Sequence, residues 1–132
     1  MQHPTMKSLK EIHTRYFAPA FFIFIIINYL LFFYEPGQGS GRIPYADKIV
    51  HFILFATFSF SVFYGCFKSS GNLVKSNLLL LFVLAVVAYA GLTEIIQYFF
   101  VEHRSGEWAD FFSDVLGICT GFFLLDKLKR FF

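Results

Sequence analysis

Three pairs of ionisable or amide side chains recur at helical spacing inside apolar parts of the sequence. The pairs are Asp47 and His51, Glu94 and Gln97, and Asp110 and Asp114. Because residues three or four apart lie on one face of an α-helix, each pair can present two polar groups to the same neighbour. A histidine brought together with carboxylates can act as a general acid or base, so these pairs are the first candidates for chemistry.

Each of these polar groups also has a structural interpretation. Asp47 could cap the start of a helix, and Glu94 could simply hydrogen-bond to a neighbouring helix. Arg104 is the natural counter-charge for the acids, because a guanidinium can fork onto a carboxylate or a phosphate, but a solvated loop arginine is the alternative. The nearby Ser105 and Ser113 lack a nucleophile context, so covalent catalysis is not indicated.

Two glycines continue the face that carries the last of these pairs. Gly117 follows Asp114 by three residues, and Gly121 follows Gly117 by four, so acids and glycines share one stripe. Small residues at this spacing let a second helix approach closely within a membrane. We expect the acidic end of the stripe to be chemical and the glycine end to pack against another helix.

Transmembrane helices must position these groups. Of the 132 residues, 57% are hydrophobic and 15% are charged, whereas soluble domains are about 25% charged. A bilayer core requires about 20 apolar residues per helix. Four segments meet or approach that length, namely residues 16–34, 47–67, 78–100 and 108–125. The sequence predicts an all-α, four-helix transmembrane bundle forming a single domain over residues 1–132. A signal peptide is the alternative for the first segment, but its apolar part exceeds the usual length of about 7–15 residues.

The distribution of basic residues orients the bundle, since lysine and arginine in short loops stay on the cytoplasmic side. With both termini cytoplasmic, eight basic residues lie inside and three lie outside. The inside set is Lys7, Lys10, Arg15, Lys68, Lys75, Lys127, Lys129 and Arg130, and the outside set is Arg42, Lys48 and Arg104. This orientation brings all three polar pairs to the extracytoplasmic side, where they can meet in one pocket.

The charges in such a pocket do not balance. The acids are Asp47, Glu94, Asp110 and Asp114, and the fixed bases are Lys48 and Arg104. A proton on the deeply placed Glu94 would relieve the surplus, and a bound divalent cation is the alternative. The ligands for that cation would be Asp47, His51, Glu94 and Asp110. Because no two histidines are four residues apart, as in compact metal motifs, the proton is favoured, and no metal or other cofactor is predicted.

The order and spacing of these motifs resemble those of the VanZ-like family of bacterial membrane proteins. The similarity extends from Asp47 to Gly121 and comprises the Asp-x-x-x-His pair, the Glu-x-x-Gln pair, Arg104 with Ser105, Asp110, Asp114 and Gly117. The family has an asparagine four residues after Asp110, where this chain has Asp114. The resemblance therefore implies no amide donor at this position, where a protonated carboxyl group could donate instead.

The resemblance implies a multi-pass protein of the bacterial cytoplasmic membrane with a role in the cell envelope. The family is named after a factor that lowers susceptibility to the glycopeptide teicoplanin, but it implies no defined reaction. We expect an outer-leaflet ligand, a membrane lipid or a lipid-linked envelope molecule, to be recognised or modified by Asp47, His51, Glu94, Gln97, Arg104, Asp110 and Asp114. In an enzyme, His51 or Glu94 would be the general base and Arg104 the anion clamp.

Two other functions fit the same sequence. In a non-enzymatic accessory or scaffold protein, the polar network would only fix the helices. A small transporter is less favoured, because the cytoplasmic halves of the four segments hold no charged residue and transporters bind their substrates near the membrane midplane. The scattered basic residues do not predict a nucleic-acid partner. Homo-oligomer formation and the presence of an enzymatic activity both stay open.

Overall fold

A computed structural model describes residues 14–34, 45–70, 76–102 and 106–132, apart from the side chains of residues 70 and 76–78. A 3-10 turn, Thr14–Phe17, leads into α1, Ala18–Asn28, which continues as a π-helical segment, Tyr29–Phe33. The next helices are α2, Ala46–Ser70, and α3, Ser76–Phe100. The last is α4, Trp108–Leu128, which ends in a 3-10 turn, Lys129–Phe131. The described residues contain no strand.

Four helical segments are long and apolar enough to cross a membrane, with mean hydropathies between 1.4 and 2.4. They are Thr14–Phe33, Ala46–Ser69, Leu79–Phe100 and Trp108–Phe131. The predicted all-α bundle with four membrane-spanning helices is confirmed. The last helix continues beyond residue 125, where the apolar segment was predicted to end. The acid there is paired, because Lys129 Nζ donates to Asp126 Oδ1 at 2.8 Å within one turn.

Large apolar side chains cover the outside of the bundle. Exposed examples occur on every helix and include Phe22, Leu81, Ile95 and Phe123. The interior, in contrast, holds eight buried polar or charged residues among those the structure describes. An apolar outside suits lipid, and at membrane depth it leaves the interior of the bundle as the place for polar groups.

The contact between α2 and α4 depends on the two glycines of α4. A Cβ atom on Gly117 would lie 2.5 Å from the carbonyl oxygen of Phe52, and one on Gly121 would collide with the Ser59 hydroxyl. Ser59 Oγ in turn donates a hydrogen bond of 3.2 Å to the Ile118 carbonyl oxygen. Because the two backbones approach so closely, polar side chains one or two turns away on both helices are brought into direct contact.

An aromatic layer closes the interior below those polar side chains. The ring of Tyr89 lies 5.1–5.7 Å from the rings of Phe24, Phe55 and Phe58. Asn28 of α1 joins this layer, with its Nδ2 atom donating to the Tyr89 hydroxyl at 3.0 Å. Aromatic pairs at such separations prefer tilted or offset rings and add to the burial of apolar surface. The layer therefore ties α1, α2 and α3 together and separates the polar end of the bundle from the other end.

Candidate functional site

Three buried side chains from three different helices meet at one end of the bundle. The Nδ1 atom of His51 on α2 lies 2.9 Å from Asp114 Oδ1 on α4 and 3.5 Å from Glu94 Oε1 on α3. His51 and Asp114 are fully buried, and Glu94 is 9% exposed. The structure thus brings together one member of each pair predicted from the sequence. We refer to His51, Glu94 and Asp114 as the polar cluster.

The position of each residue along its helix explains why the three meet. His51 lies in the second turn of α2, and Asp114 lies in the second turn of α4. Glu94 precedes the end of α3 by six residues, which corresponds to about 9 Å. The start of α2, the end of α3 and the start of α4 fall at the same end of the bundle, so these depths coincide. An ionisable group at such depth costs free energy unless it has a partner. The contacts among these three side chains therefore offset the cost of placing them there.

One oxygen of Glu94 is held by the segment that precedes α4. The backbone N–H of Glu107, the N-cap residue of α4, donates to Glu94 Oε2 at 3.2 Å. A carboxylate at this place is also favoured by the positive end of the helix dipole. Gly106 makes the approach feasible, since a Cβ atom there would lie 2.5 Å from the Glu94 carbonyl oxygen. Glu94 is therefore anchored through Oε2, and its Oε1 atom faces His51.

Lys48 forms a second charged group at the rim of the site. Its Nζ atom lies 3.2 Å from Asp110 Oδ1 and 3.1 Å from Glu107 Oε2. The side chain of Asp110 is 2% exposed, whereas that of Glu107 is 52% exposed. The lysine therefore compensates a buried acid on one side and reaches solvent-facing charge on the other. It links the first turns of α2 and α4 above the polar cluster.

Asp47 lies at the outer edge of the same region. It is exposed in the first turn of α2, and one ligand atom each of Asp47, His51 and Asp110 lie within 4.8 Å of one another. Because Asp47 lies inside the first turn, it does not occupy the N-cap position that was considered as the alternative. Arg104, the predicted anion clamp, and its neighbour Ser105 lie outside the described residues.

Gln97 is buried and contacts the first helical segment. Its Nε2 atom donates to the carbonyl oxygen of Leu31 at 3.0 Å. That carbonyl belongs to the last turn of the π-helical segment, where backbone acceptors lack an intrahelical donor. Gln97 thus connects α3 to the end of the first span, one turn away from Glu94, and this hydrogen bond serves the packing of the helices.

Several buried atoms of the polar cluster have no hydrogen-bond partner among the residues that the structure describes. They are His51 Nε2, Glu94 Oε1 and Asp114 Oδ2. Buried polar atoms in proteins are nearly always paired, and an unpaired one costs about 1–3 kcal/mol. Three such atoms within one cluster indicate a place that receives a further ion or polar group.

An open groove of about 590 Å³ between α3 and α4 reaches the polar cluster. Glu94 is one of its lining residues, and most of the others are apolar or aromatic. Gly91 and Ile95 line it on α3, while Trp108 and Phe111 line it on α4. The rings of Trp108 and Phe111 are in edge contact, with centroids 6.2 Å apart. The volume lies in the range of pockets that hold small organic ligands, and exposed residues such as Ile95 place its opening on the lipid-facing surface.

The groove and two of the charged partners were not singled out from the sequence. Lys48 entered only the count of basic residues and the charge balance, although its place between Asp47 and His51 was a usable signal. Glu107 precedes the last predicted span, and its capping position became visible only with the start of α4. Trp108, the first residue of α4, lines the groove. Apolar groove residues carry no distinguishing signal, because every span is rich in such side chains.

An imidazole between two carboxylates can hold or transfer a proton, or hold a cation, next to whatever occupies the groove. These features define a small polytopic helical membrane protein with a buried acid and histidine cluster that is reached from the lipid side.

The chain belongs to the VanZ/LLP1 family, whose model matches residues 3–129. The match includes the segment from Asp47 to Gly121 on which the resemblance was based, and it extends over almost the entire chain. Comparisons with curated proteins and with solved structures gave no match.

Proposed function

We propose that this protein recognises or modifies a lipid or lipid-linked molecule of the bacterial cell envelope at the outer leaflet of the cytoplasmic membrane. The polar part of the ligand lies against the polar cluster, and its hydrocarbon part lies in the groove between α3 and α4. The groove is the observation that carries this proposal, because it joins a lipid-facing opening to a buried carboxylate, that of Glu94. An aqueous solute would have no use for a mostly apolar approach from the side.

The proposed orientation rests on the basic residues. Eight of them fall on the cytoplasmic side and three on the other side when both termini are cytoplasmic. The polar cluster, at the end of α3 and the start of α4, then lies in the outer half of the membrane. A ligand of the outer leaflet can reach it without crossing the bilayer.

A modifying reaction would use Glu94, which lines the groove, and His51, whose Nδ1 atom lies 3.5 Å from Glu94 Oε1. Glu94 and His51 are the candidate general bases, since Glu94 Oε1 and His51 Nε2 have no hydrogen-bond partner among the described residues. Arg104, outside the described residues, is the candidate clamp for a phosphate or another anionic head group. A contribution to glycopeptide resistance of the teicoplanin type is the cellular role that the resemblance suggests for such a ligand.

The alternative is an accessory protein in which the polar cluster only fixes the helices. Gln97, which serves the packing of α3 against the first segment, favours this view for part of the polar network. The two functions differ in one respect that can be measured. An accessory protein has no need of an open groove, whereas a lipid-binding protein fails when the groove is filled.

Retention of lipids in native mass spectrometry tests the proposal. The purified protein in mild detergent is offered phosphatidylglycerol, undecaprenyl phosphate and diacylglycerol, and retained molecules are counted for wild type, Ile95→Trp and Leu84→Trp. The two side chains share a face of α3 and are 55% and 57% exposed, but only Ile95 lines the groove. We expect wild type and Leu84→Trp to retain at least one of these lipids and Ile95→Trp to lose it. Equal retention by all three proteins would contradict the proposal.

A further inference from the structure

We propose that the polar cluster is a binding site for one divalent transition-metal ion of the zinc or manganese type, held by His51, Glu94 and Asp114. This inference departs from the prediction of no metal made from the sequence, and it does not depend on lipid binding. Each ligand comes from a different helix, α2, α3 or α4, so a bound ion would also join the three helices.

The distances between the ligand atoms fit a common coordination sphere. His51 Nδ1 lies 2.9 Å from Asp114 Oδ1 and 3.5 Å from Glu94 Oε1, and one ligand atom from each of the three residues lies within 4.8 Å of the others. Nitrogen and oxygen ligands bind zinc at about 2.0–2.2 Å, which separates adjacent ligands by about 3.0–3.4 Å in octahedral or tetrahedral geometry. The observed separations lie close to these values, so little movement is needed to coordinate an ion.

The unpaired oxygens of the cluster point to the same conclusion. Glu94 Oε1 and Asp114 Oδ2 accept no hydrogen bond from the described residues, although Glu94 is nine-tenths buried and Asp114 fully so. A proton shared between His51 and Asp114 would satisfy their short contact and leave Glu94 Oε1 without a partner. A cation engages the carboxylates of both acids and compensates both of their charges.

The described base at the rim of the site already compensates the charges of other acids. Lys48 Nζ lies between Asp110 and Glu107 at 3.2 and 3.1 Å. The same ion pair argues against the neighbouring group of Asp47, His51 and Asp110 as the metal site, since a cation there would compete with the lysine for Asp110 Oδ1. The polar cluster has no such competitor within the described part of the chain.

The ligand set indicates both the type of metal and its use. One imidazole with two carboxylates suits zinc or manganese, whereas magnesium and calcium prefer oxygen ligands throughout. Three protein ligands leave a fourth position open, as in metal sites that bind a substrate or activate water. Glu94 belongs to both the cluster and the groove, so a ligand held in the groove could reach that position.

Metal content and thermal stability measured together test this inference. The protein is purified with a tag that contains no histidine, stripped with a chelator, and titrated separately with Zn²⁺, Mn²⁺ and Mg²⁺. We expect about one Zn²⁺ or Mn²⁺ per chain after gel filtration and a raised Tm, with no effect of Mg²⁺. Glu94→Gln and Asp114→Asn should weaken binding by about tenfold or more. Asp126→Asn, an acid on α4 far from the cluster, should bind as wild type does.

A wild-type protein that retains neither ion and whose Tm does not move would overturn the proposal and leave the shared proton as the account of the cluster. Equal binding by Glu94→Gln and wild type would overturn it as well. Because the variants can fail to fold, X-ray absorption on the metal-loaded wild type provides an independent measurement. It should show an imidazole and oxygen ligands, and a shell with sulfur from Cys66 or Cys119, or with no imidazole, would refute the assignment.

Discussion

His51 on α2 and Asp114 on α4 are in direct contact, with Nδ1 and Oδ1 2.9 Å apart and both side chains fully buried. The contact is possible because Gly117, one turn further along α4, lets the two backbones approach closely. The helix packing and the polar cluster are thus parts of one arrangement, and a change in either should affect the other.

Removal of Asp114 should destabilise the protein strongly. Asp114→Ala leaves a buried histidine and Glu94 without their partner, and loss of one member of a buried pair costs about 3–5 kcal/mol. Asp126→Ala on the same helix removes a partly exposed acid that pairs with Lys129, so it should have a much smaller effect. Denaturant titration in mild detergent measures both. Equal stability of the two variants would show that the contact between His51 and Asp114 contributes little.

Two glycine substitutions should differ in sign. Gly117→Ala places a Cβ atom 2.5 Å from the Phe52 carbonyl oxygen, and the overpacking should cost about 1–3 kcal/mol. Gly91→Ala places its Cβ atom 3.7 Å from the ring of Phe111, an ordinary contact. Since alanine is favoured over glycine in helices by about 1 kcal/mol, Gly91→Ala should be neutral or stabilising. Thermal unfolding in detergent distinguishes them, and similar loss of stability in both variants would refute the assigned packing.

Much of this arrangement could be predicted from the sequence, because helical spacing and span ends fix which faces and which depths the polar residues share. The four-residue spacing and the predicted start of a span were enough to predict the shared faces and depths of Asp47, His51, Asp110 and Asp114. The partner of Gln97 could not be foreseen, since the availability of the Leu31 carbonyl depends on where the first helical segment ends.

The groove could not be predicted from the sequence, for a different reason. Ile95 and Leu84 are both exposed apolar residues on one face of α3, and nothing in their type says that only Ile95 borders an opening. The gap between α3 and α4 arises from how the helices pack along their whole length. Residue pattern alone therefore located the polar end of the site and missed the apolar end.

Lys48 should contribute to stability more through its ion pair with Asp110 than through its ion pair with Glu107. Lys48→Met leaves a buried carboxylate without its base, whereas Glu107 is half exposed and can be solvated. The loss of stability caused by Lys48→Met should therefore shrink in an Asp110→Asn background and persist in a Glu107→Gln background. Double-mutant cycles from denaturant titration measure both couplings. A larger coupling with Glu107 would contradict this assignment.

Cysteine labelling should show the orientation of the bundle. In a background without Cys66 and Cys119, Glu102→Cys, just beyond the end of α3, should react with an impermeant thiol reagent on intact cells. Arg130→Cys, at the opposite end of the bundle, should react only after the cells are opened. Reversed labelling would place the polar cluster on the cytoplasmic side and contradict the count of basic residues.

The proposed function is tested most directly by locating the residues that a lipid tail contacts. Phosphatidylglycerol with a photoreactive diazirine in its acyl chain is incorporated with the protein into bilayer nanodiscs, irradiated, and the cross-linked residues are identified by mass spectrometry. We predict that cross-links concentrate on groove residues such as Gly91, Ile95 and Phe111, and that Ile95→Trp removes them while Leu84→Trp does not. Cross-links spread evenly over the exposed faces of all four helices, unchanged by Ile95→Trp, would contradict the claim that the groove holds the ligand.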